Sequence, residues 1–498
     1  MACTTLLVGK NASYDGSTLV ARNEDSASGV FTPKKFIVVL PEEQPRNYKS
    51  ILSHVEIPLP DNPMRYTAMP DALGVDGIWG ACGVNEKNIS MTATETLTSN
   101  ERVLGADPLV NLIPAQGNEG DENYIPERPG GIGEEDIVTI VLPYINSARE
   151  GVLRLGSLLE TYGTYEMNGI AFQDEDEIWW LETIGGHHWI AKKVPDDSYV
   201  VMPNQFGIDY FDLDDAFGQQ QEHLCSSDLR EFISDNHLNL SLTESFNARY
   251  AFGSHADSDH TYNTPRAWVV QRYLNPTTHR WDGDNADYRP DSDNLSWSKV
   301  PEKKITIEEI KYLLSHHYQG TEYDPYGKHN DPLKKGSFRP IGISRTNVLG
   351  LVQIRPYMPD NIKSVEWISF GCNMFNAIVP FYVNITKTPI YLNNTGKTVT
   401  TDSFYWANRL VAALADSHFA TCNSHIERYQ LAVQSKGHEL IHKYDKEFKN
   451  HPNNATLLCE KANEEIASML QEKTNDLLDK VLYTASCNMK NGFARSDA

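Results

Sequence analysis

Cys3 is the residue whose type and position most invite a chemical reading. It opens an apolar run, Thr4-Thr5-Leu6-Leu7-Val8, and only Met1 and Ala2 precede it. A cysteine at a strand start is ordinarily a small packing residue. It becomes a nucleophile once Met1-Ala2 is removed, because Cys3 then carries a free α-amino group. An α-amine has a pKa of about 7.7–8.0, so a useful fraction is neutral near pH 7 and takes the thiol proton. One residue then supplies both nucleophile and base. Such a site also needs a cation beside the thiolate, a carboxylate to orient the ammonium and donors for the oxyanion. Arg22-Asn23-Glu24-Asp25 offers the cation and the carboxylate. The Asp15-Gly16 turn predicts a hairpin that brings this segment alongside Cys3.

Other chemistries have weaker support. There is no G-x-x-x-x-G-K-[ST], H-E-x-x-H or G-x-S-x-G signature. Gly130-Gly131-Ile132-Gly133 is ringed by acids that would repel a phosphate, so it reads as a loop. His187-His188 and His316-His317 are adjacent pairs, and neighbours on a strand point to opposite faces, so a structural role is expected of both. His255, Asp257, Asp259 and His260 read as a polar loop near a site. The seven cysteines are scattered without a C-x-x-C, which indicates neither a zinc ribbon nor a disulfide framework.

The elements that must position these residues are short strands first. Thr4–Gly9, Thr18–Arg22, Lys35–Leu40 and Ile89–Thr94 are β-branched or apolar runs bounded by turns. Ile178–Glu182, Trp189–Lys192 and Tyr199–Met202 form a second series, with Gly185-Gly186 suited to a hairpin. Between them lies a helical block. Glu134, Glu135 and Asp136 fit a first turn, where carboxylates complement the helix dipole, and Ala148, Val152, Leu155 and Leu159 recur at helical spacing. Asn275–Asn294 reads as a long loop. Strands return at 347–354 and 377–383. From Ser403 the chain turns helical, with Leu410, Val411, Leu414 and Ala415 marking one helix and Ile466, Leu470, Leu477 and Val481 another. The pattern predicts an α+β fold: a core over 1–400 with insertions, and a helical extension over 401–498 packed on it.

Composition narrows the function classes. With 40% apolar residues, 24 Tyr, 17 Phe and 9 Trp, the chain is globular in character. Lys and Arg number 44 against 67 Asp and Glu, a net charge of −23, which disfavours nucleic acid and anionic membrane surfaces as partners. No stretch approaches the roughly 18 apolar residues of a membrane helix, and the N-terminus lacks a secretory pattern, so a cytoplasmic location is expected.

Taken together, several segments resemble the bacterial dipeptidase A/D family of N-terminal-nucleophile cysteine peptidases. They are Met1–Lys10, Tyr14-Asp15-Gly16-Ser17, Ala21-Arg22-Asn23-Glu24-Asp25, Gly83–Lys87 through Thr94-Glu95-Thr96, Trp179–Glu182 to Gly186–Trp189, Met202-Pro203-Asn204-Gln205 and Tyr262-Asn263-Thr264-Pro265-Arg266. The family is related to penicillin V acylases and bile salt hydrolases, so the resemblance implies a four-layer αββα N-terminal-nucleophile hydrolase sandwich. It implies Cys3 as nucleophile, Arg22 as the thiolate-stabilising cation and Asp25 as the carboxylate orienting the new amino terminus. Asn204 becomes an oxyanion donor, and Arg266 a second cation near the thiol or a binder of the substrate carboxylate. An acid at Glu95, with Thr94 and Thr96 as neighbouring alternatives, stands where the acylase relatives carry a neutral residue. One departure is that Ala2 separates Cys3 from the initiator methionine, so loss of Met1 alone does not free Cys3.

The expected function is therefore a dipeptidase acting through a thioester, with a free substrate amine read by Glu95. No metal or organic cofactor is implied, and homo-oligomerisation is a family expectation. Two rivals stand beside it: an amidase acting on non-peptide amides, and a non-catalytic protein like the secernins.

Overall fold

The computed structural model describes residues 3–243, 245–329, 331–490 and 492. Met1 and Ala2, on which the processing expectation falls, lie outside the described residues. The fold is α+β, and its principal sheets are antiparallel.

The predicted first hairpin forms. Strand Thr4–Val8 pairs with Thr18–Asp25, with Thr5 opposite Arg22 and Thr4 opposite Asn23. Gly16 sits at φ +85°, a left-handed conformation that costs a residue with a Cβ, while Asp15 accepts from both the backbone N–H and the hydroxyl of Ser17. Two further strands flank this hairpin. Tyr199–Met202 pairs with Thr4–Val8, and Thr346–Ile354 pairs with Thr18–Asp25. Ser298–Lys299, Ser364–Phe370 and Val379–Tyr382 complete a seven-stranded sheet I.

Sheet II holds Cys82–Val84, Ser90–Thr92, Asn168–Gln173, Ile178–Ile184, His188–Lys193 and His223–Cys225, with Glu95–Thr96 added beside Asn168–Gln173. The two sheets meet face to face. Leu7, Val20, Val200 and Met202 of sheet I share one apolar cluster with Ala171, Trp180 and Ile190 of sheet II. Gly350 allows a close approach, since a Cβ there would lie 2.4 Å from Cys82 Sγ.

Helices cover the outer faces. Ala148–Tyr162 lays Val152, Leu155 and Leu159 on Phe172, Trp179 and Leu181 of sheet II. Thr264–Leu274 and Ile307–Leu314 cover Leu6, Val8, Leu19 and Ala21 of sheet I. The C-terminal helices Phe404–Ala415, Phe419–Asn450 and Ala455–Cys487 join the same cluster. No helix among the described residues is long and apolar enough to cross a membrane.

Candidate active site

Register brings the predicted residues together. Direct cross-strand partners share a face, so Thr5 and Arg22 point to the same side of sheet I, toward sheet II. Cys3, two residues before Thr5, projects there as well. Arg22 Nη2 donates to Cys3 Sγ at 3.0 Å. The same guanidinium donates to Thr94 O at 2.6 and 3.1 Å, to Glu134 Oε1 at 2.6 Å and to Glu24 Oε2 at 3.2 Å. Every one of these residues is buried.

Asn204 arrives by the same logic. Thr5 lies opposite Met202, so the chain leaving strand Tyr199–Met202 carries Asn204 to the level of Cys3. Its amide donates to Glu95 Oε2 at 3.3 Å, and its Oδ1 accepts from Arg266 Nη2 at 2.8 Å. Pro265 in the first turn of helix Thr264–Leu274 fixes the entry that aims Arg266 inward. Arg266 donates to the carbonyl oxygen of Cys3, to Thr4 Oγ1 at 2.7 Å and to Asn263 Oδ1 at 2.6 Å. Its bonds therefore go to the Cys3 main chain and to Asn204; a bond to the thiol is made by Arg22.

Glu95 is wholly buried, bridging the two sheets by accepting from Thr5 Oγ1 at 2.6 Å and from Asn204. Of Thr94, Glu95 and Thr96, Glu95 brings the carboxylate, whereas Thr94 contributes its carbonyl to Arg22. Asp25 lies on the opposite face of its strand from Arg22. It accepts from Arg339 and from Thr346 Oγ1 at 2.5 Å, and it is near enough to Arg266 to favour its charged form.

The electrostatics follow from burial. Burial pushes the Cys3 thiol well up, Arg22 pulls it down, and Glu95 and Glu134 push it up again. Burial raises Glu95 to about 8 against the pull of Arg22, Thr5 and Arg266. Burial, with Arg339 adding to it, lowers Arg266 to about 9. The arrangement thus holds a thiol against a permanently charged guanidinium, with an amide and a second guanidinium converging from the other strand. That is the equipment of acyl transfer through a covalent intermediate.

Several participants escape a reading of the sequence alone. Glu134 is in the predicted first turn, at the start of helix Glu134–Val141, but it is buried against Arg22 instead of facing solvent. Glu24 pairs with the buried Lys34, which also reaches Asp71 at 2.7 Å, so the guanidinium sits in a longer charged chain. Asn263 ties the site to the predicted polar loop, donating to Asn204 O at 3.0 Å and to Asp259 Oδ1 at 2.5 Å. The histidine pairs serve elsewhere: His187 and His188 both face Asp107, at 2.9 and 2.7 Å, and His317 faces Asp324 at 2.9 Å. Among the described residues no group of three or more His, Cys, Asp or Glu is arranged to hold a metal ion.

Comparison with known proteins adds a family context. Residues 2–432 match Peptidase family C69. The chain is 54% identical to a dipeptidase of Bifidobacterium longum (strain NCC 2705) over 100% of both chains. It is 52% identical to probable dipeptidase A of Streptococcus pyogenes serotype M3 (strain SSI-1), again over 100% of both. It is 43% identical to probable dipeptidase B of Lactococcus lactis subsp. lactis (strain IL1403), over 100% of this chain and 98% of that one.

Proposed function

The chain belongs to Peptidase family C69, and from that premise we propose that it is a cysteine-type dipeptidase whose nucleophile is Cys3. The observation that carries this reading is the 3.0 Å contact between Arg22 Nη2 and Cys3 Sγ, inside a shell that also gathers Asn204, Arg266 and Glu95. The names of the relatives support the dipeptide substrate. The layering of helices, two sheets and helices supports the αββα sandwich of N-terminal-nucleophile hydrolases, with 1–400 as its core and 401–498 as a helical extension.

With Cys3 as the first residue of the mature chain, its amine takes the thiol proton and Arg22 stabilises the thiolate. The thiolate sulfur bonds to the scissile carbonyl carbon. The oxyanion is received by the Asn204 amide, which exchanges its bond to Glu95 for one to the oxyanion, together with a backbone N–H. Arg266 holds the Asn204 side chain and the Cys3 carbonyl in place, leaving Arg266 as a positioning residue. Asp25, fixed by Arg339 and Thr346, keeps lone pairs for the Cys3 ammonium. The ammonium gives its proton to the leaving amine, and water then cleaves the thioester. Glu95 accepts a hydrogen bond from the substrate amine. The enzyme so described needs no cofactor, works in the cytoplasm and assembles as a homo-oligomer.

The amidase rival keeps this chemistry but gives the buried acid at Glu95 no substrate ammonium to meet. The test combines mass and activity. Active protein should have lost Met1-Ala2 by intact mass and should turn over free dipeptides in EDTA. Cys3→Ala should abolish turnover while leaving the fold intact. Full activity in Cys3→Ala, or in a chain that keeps both leading residues, would end this reading.

A further inference from the structure

The carboxyl group of Glu134 is only half used by the protein. Its Oε1 accepts from Arg22 Nη2 at 2.6 Å, while its Oε2 is buried with no hydrogen-bond partner among the described residues. Buried polar atoms are almost always paired, so this bare oxygen beside the thiol is open to a donor that arrives with the substrate. Arg22 Nη2 is also the atom that touches Cys3 Sγ, so a single guanidinium nitrogen separates this carboxylate from the nucleophile. Behind Glu134 stands Glu166, whose Oε1 accepts from the Glu134 backbone N–H at 2.7 Å. Burial and the charge of Glu134 push Glu166 up to about 7, against the pull of the Glu134 backbone N–H.

The substrate identifies the donor. In a free dipeptide the α-ammonium and the scissile carbonyl share one α-carbon. When the carbonyl carbon lies roughly 3–3.5 Å from the attacking sulfur, the ammonium is held within a few ångströms of that sulfur. Only an acid beside the thiol reaches it. Glu95 and Glu134 are both there, for both enter the electrostatics of the thiol. Each oxygen of Glu95 already accepts one bond, from Thr5 and from Asn204. Glu134 has a bare oxygen.

We infer that Glu134 Oε2 is the ion-pair acceptor for the substrate's α-ammonium, with Glu95 receiving a second of its three N–H groups. This rests on Cys3 being the nucleophile of a dipeptidase. The two acids then form the subsite that admits a free amino terminus and excludes a blocked one. Glu134 has a further use, orienting Arg22, so the test must separate the two.

Glu134→Gln keeps the size and an acceptor for Arg22 but removes the charge. The measurement is kcat/KM for one dipeptide and for its N-acetyl form, in wild type, Glu134→Gln and Glu134→Asp, with Ki for the product amino acid and its N-acetyl derivative. Glu134→Gln should lose about 10- to 100-fold more on the free dipeptide than on its N-acetyl form, and the same differential should appear in inhibition by the free and the acetylated amino acid. Glu134→Asp, which keeps the charge, should retain preference for the free amine even if it is slower. Equal losses on free and acetylated compounds in both variants would make Glu134 only a counterion of Arg22, and the inference would be wrong. If instead the wild type cleaves no dipeptide, or Cys3→Ala still does, the failure lies in the peptidase reading on which this one stands.

Discussion

At the scale of single residues, the site depends on acids held where acids are costly. Glu95 has no exposed surface, and burial raises it from an ordinary 4.5 to about 8. Between those values the folded chain holds a proton that the unfolded chain has shed. The contribution of Glu95 to stability is therefore complete below about pH 4.5 and is lost as pH rises through 8, at up to roughly 1.4 kcal/mol per pH unit for one proton. Glu95→Gln has no such proton to lose. Urea unfolding of both proteins at several pH values from 5 to 8 should show the wild type losing ground steadily to the variant as pH rises. Parallel profiles would mean that Glu95 is ionised throughout and that its bonds from Thr5 and Asn204 outweigh its burial.

At the scale of elements, one strand pairing aligns the face that carries Cys3 and Arg22. Gly350 lies opposite Arg22 in the register between Thr346–Ile354 and Thr18–Asp25. A Cβ at Gly350 would stand 2.4 Å from Cys82 Sγ and 3.3 Å from Met69 Sδ, so the sheets close together only because none is there. Gly350→Ala should cost about 1–3 kcal/mol by overpacking and shift the strand beneath Arg22, lowering kcat more than it raises KM. Unchanged kinetics with a normal melting temperature would show that the sheets yield there without cost. The first hairpin was readable in the sequence because Asp15-Gly16 specifies a turn and the flanking runs are apolar. Strands Asn168–Gln173 and Ser364–Phe370 carry no such local signal. The first opens on Asn-Gly, which looks like a turn, and the second carries Glu366, which is buried rather than facing solvent. Cys3 and Arg22 were legible as a pair through that hairpin. Glu134 was legible only as a helix start, because first-turn acids report their place in a helix and not which group will come to meet them. Lys34 and Asp71 are joined to Arg22 through Glu24 by tertiary packing, which no local spacing reveals.

At the scale of the whole molecule, the C-terminal helices close an edge that sheet I would otherwise leave open. Strand Val379–Tyr382 is paired on one side by Ser364–Phe370, and an unpaired edge invites association with another chain. Asn463, inside helix Ala455–Cys487, takes the place of a missing strand: its Oδ1 accepts from Tyr382 N and its Nδ2 donates to Tyr382 O, both at 2.9 Å. The Tyr382 hydroxyl in turn donates to Asp445 Oδ1 at 2.7 Å, and Arg355 Nη1 donates to Asp445 Oδ2 at 2.7 Å, binding helix Phe419–Asn450 to the same sheet. With one apolar cluster running across both parts, sheets and extension should unfold together. Eight of the nine tryptophans precede residue 401 and Trp406 lies in helix Phe404–Ala415, so fluorescence follows mainly the sheets while far-UV circular dichroism also follows the two long helices. The two signals should give one coincident transition in urea. Asn463→Leu, which leaves two main-chain groups of Tyr382 unpaired at about 1–3 kcal/mol each, should move both signals to lower urea by the same amount. Helices that melt first, with fluorescence unmoved, would show the extension to be a separate cooperative unit and the Asn463 contact to be incidental to the sheet.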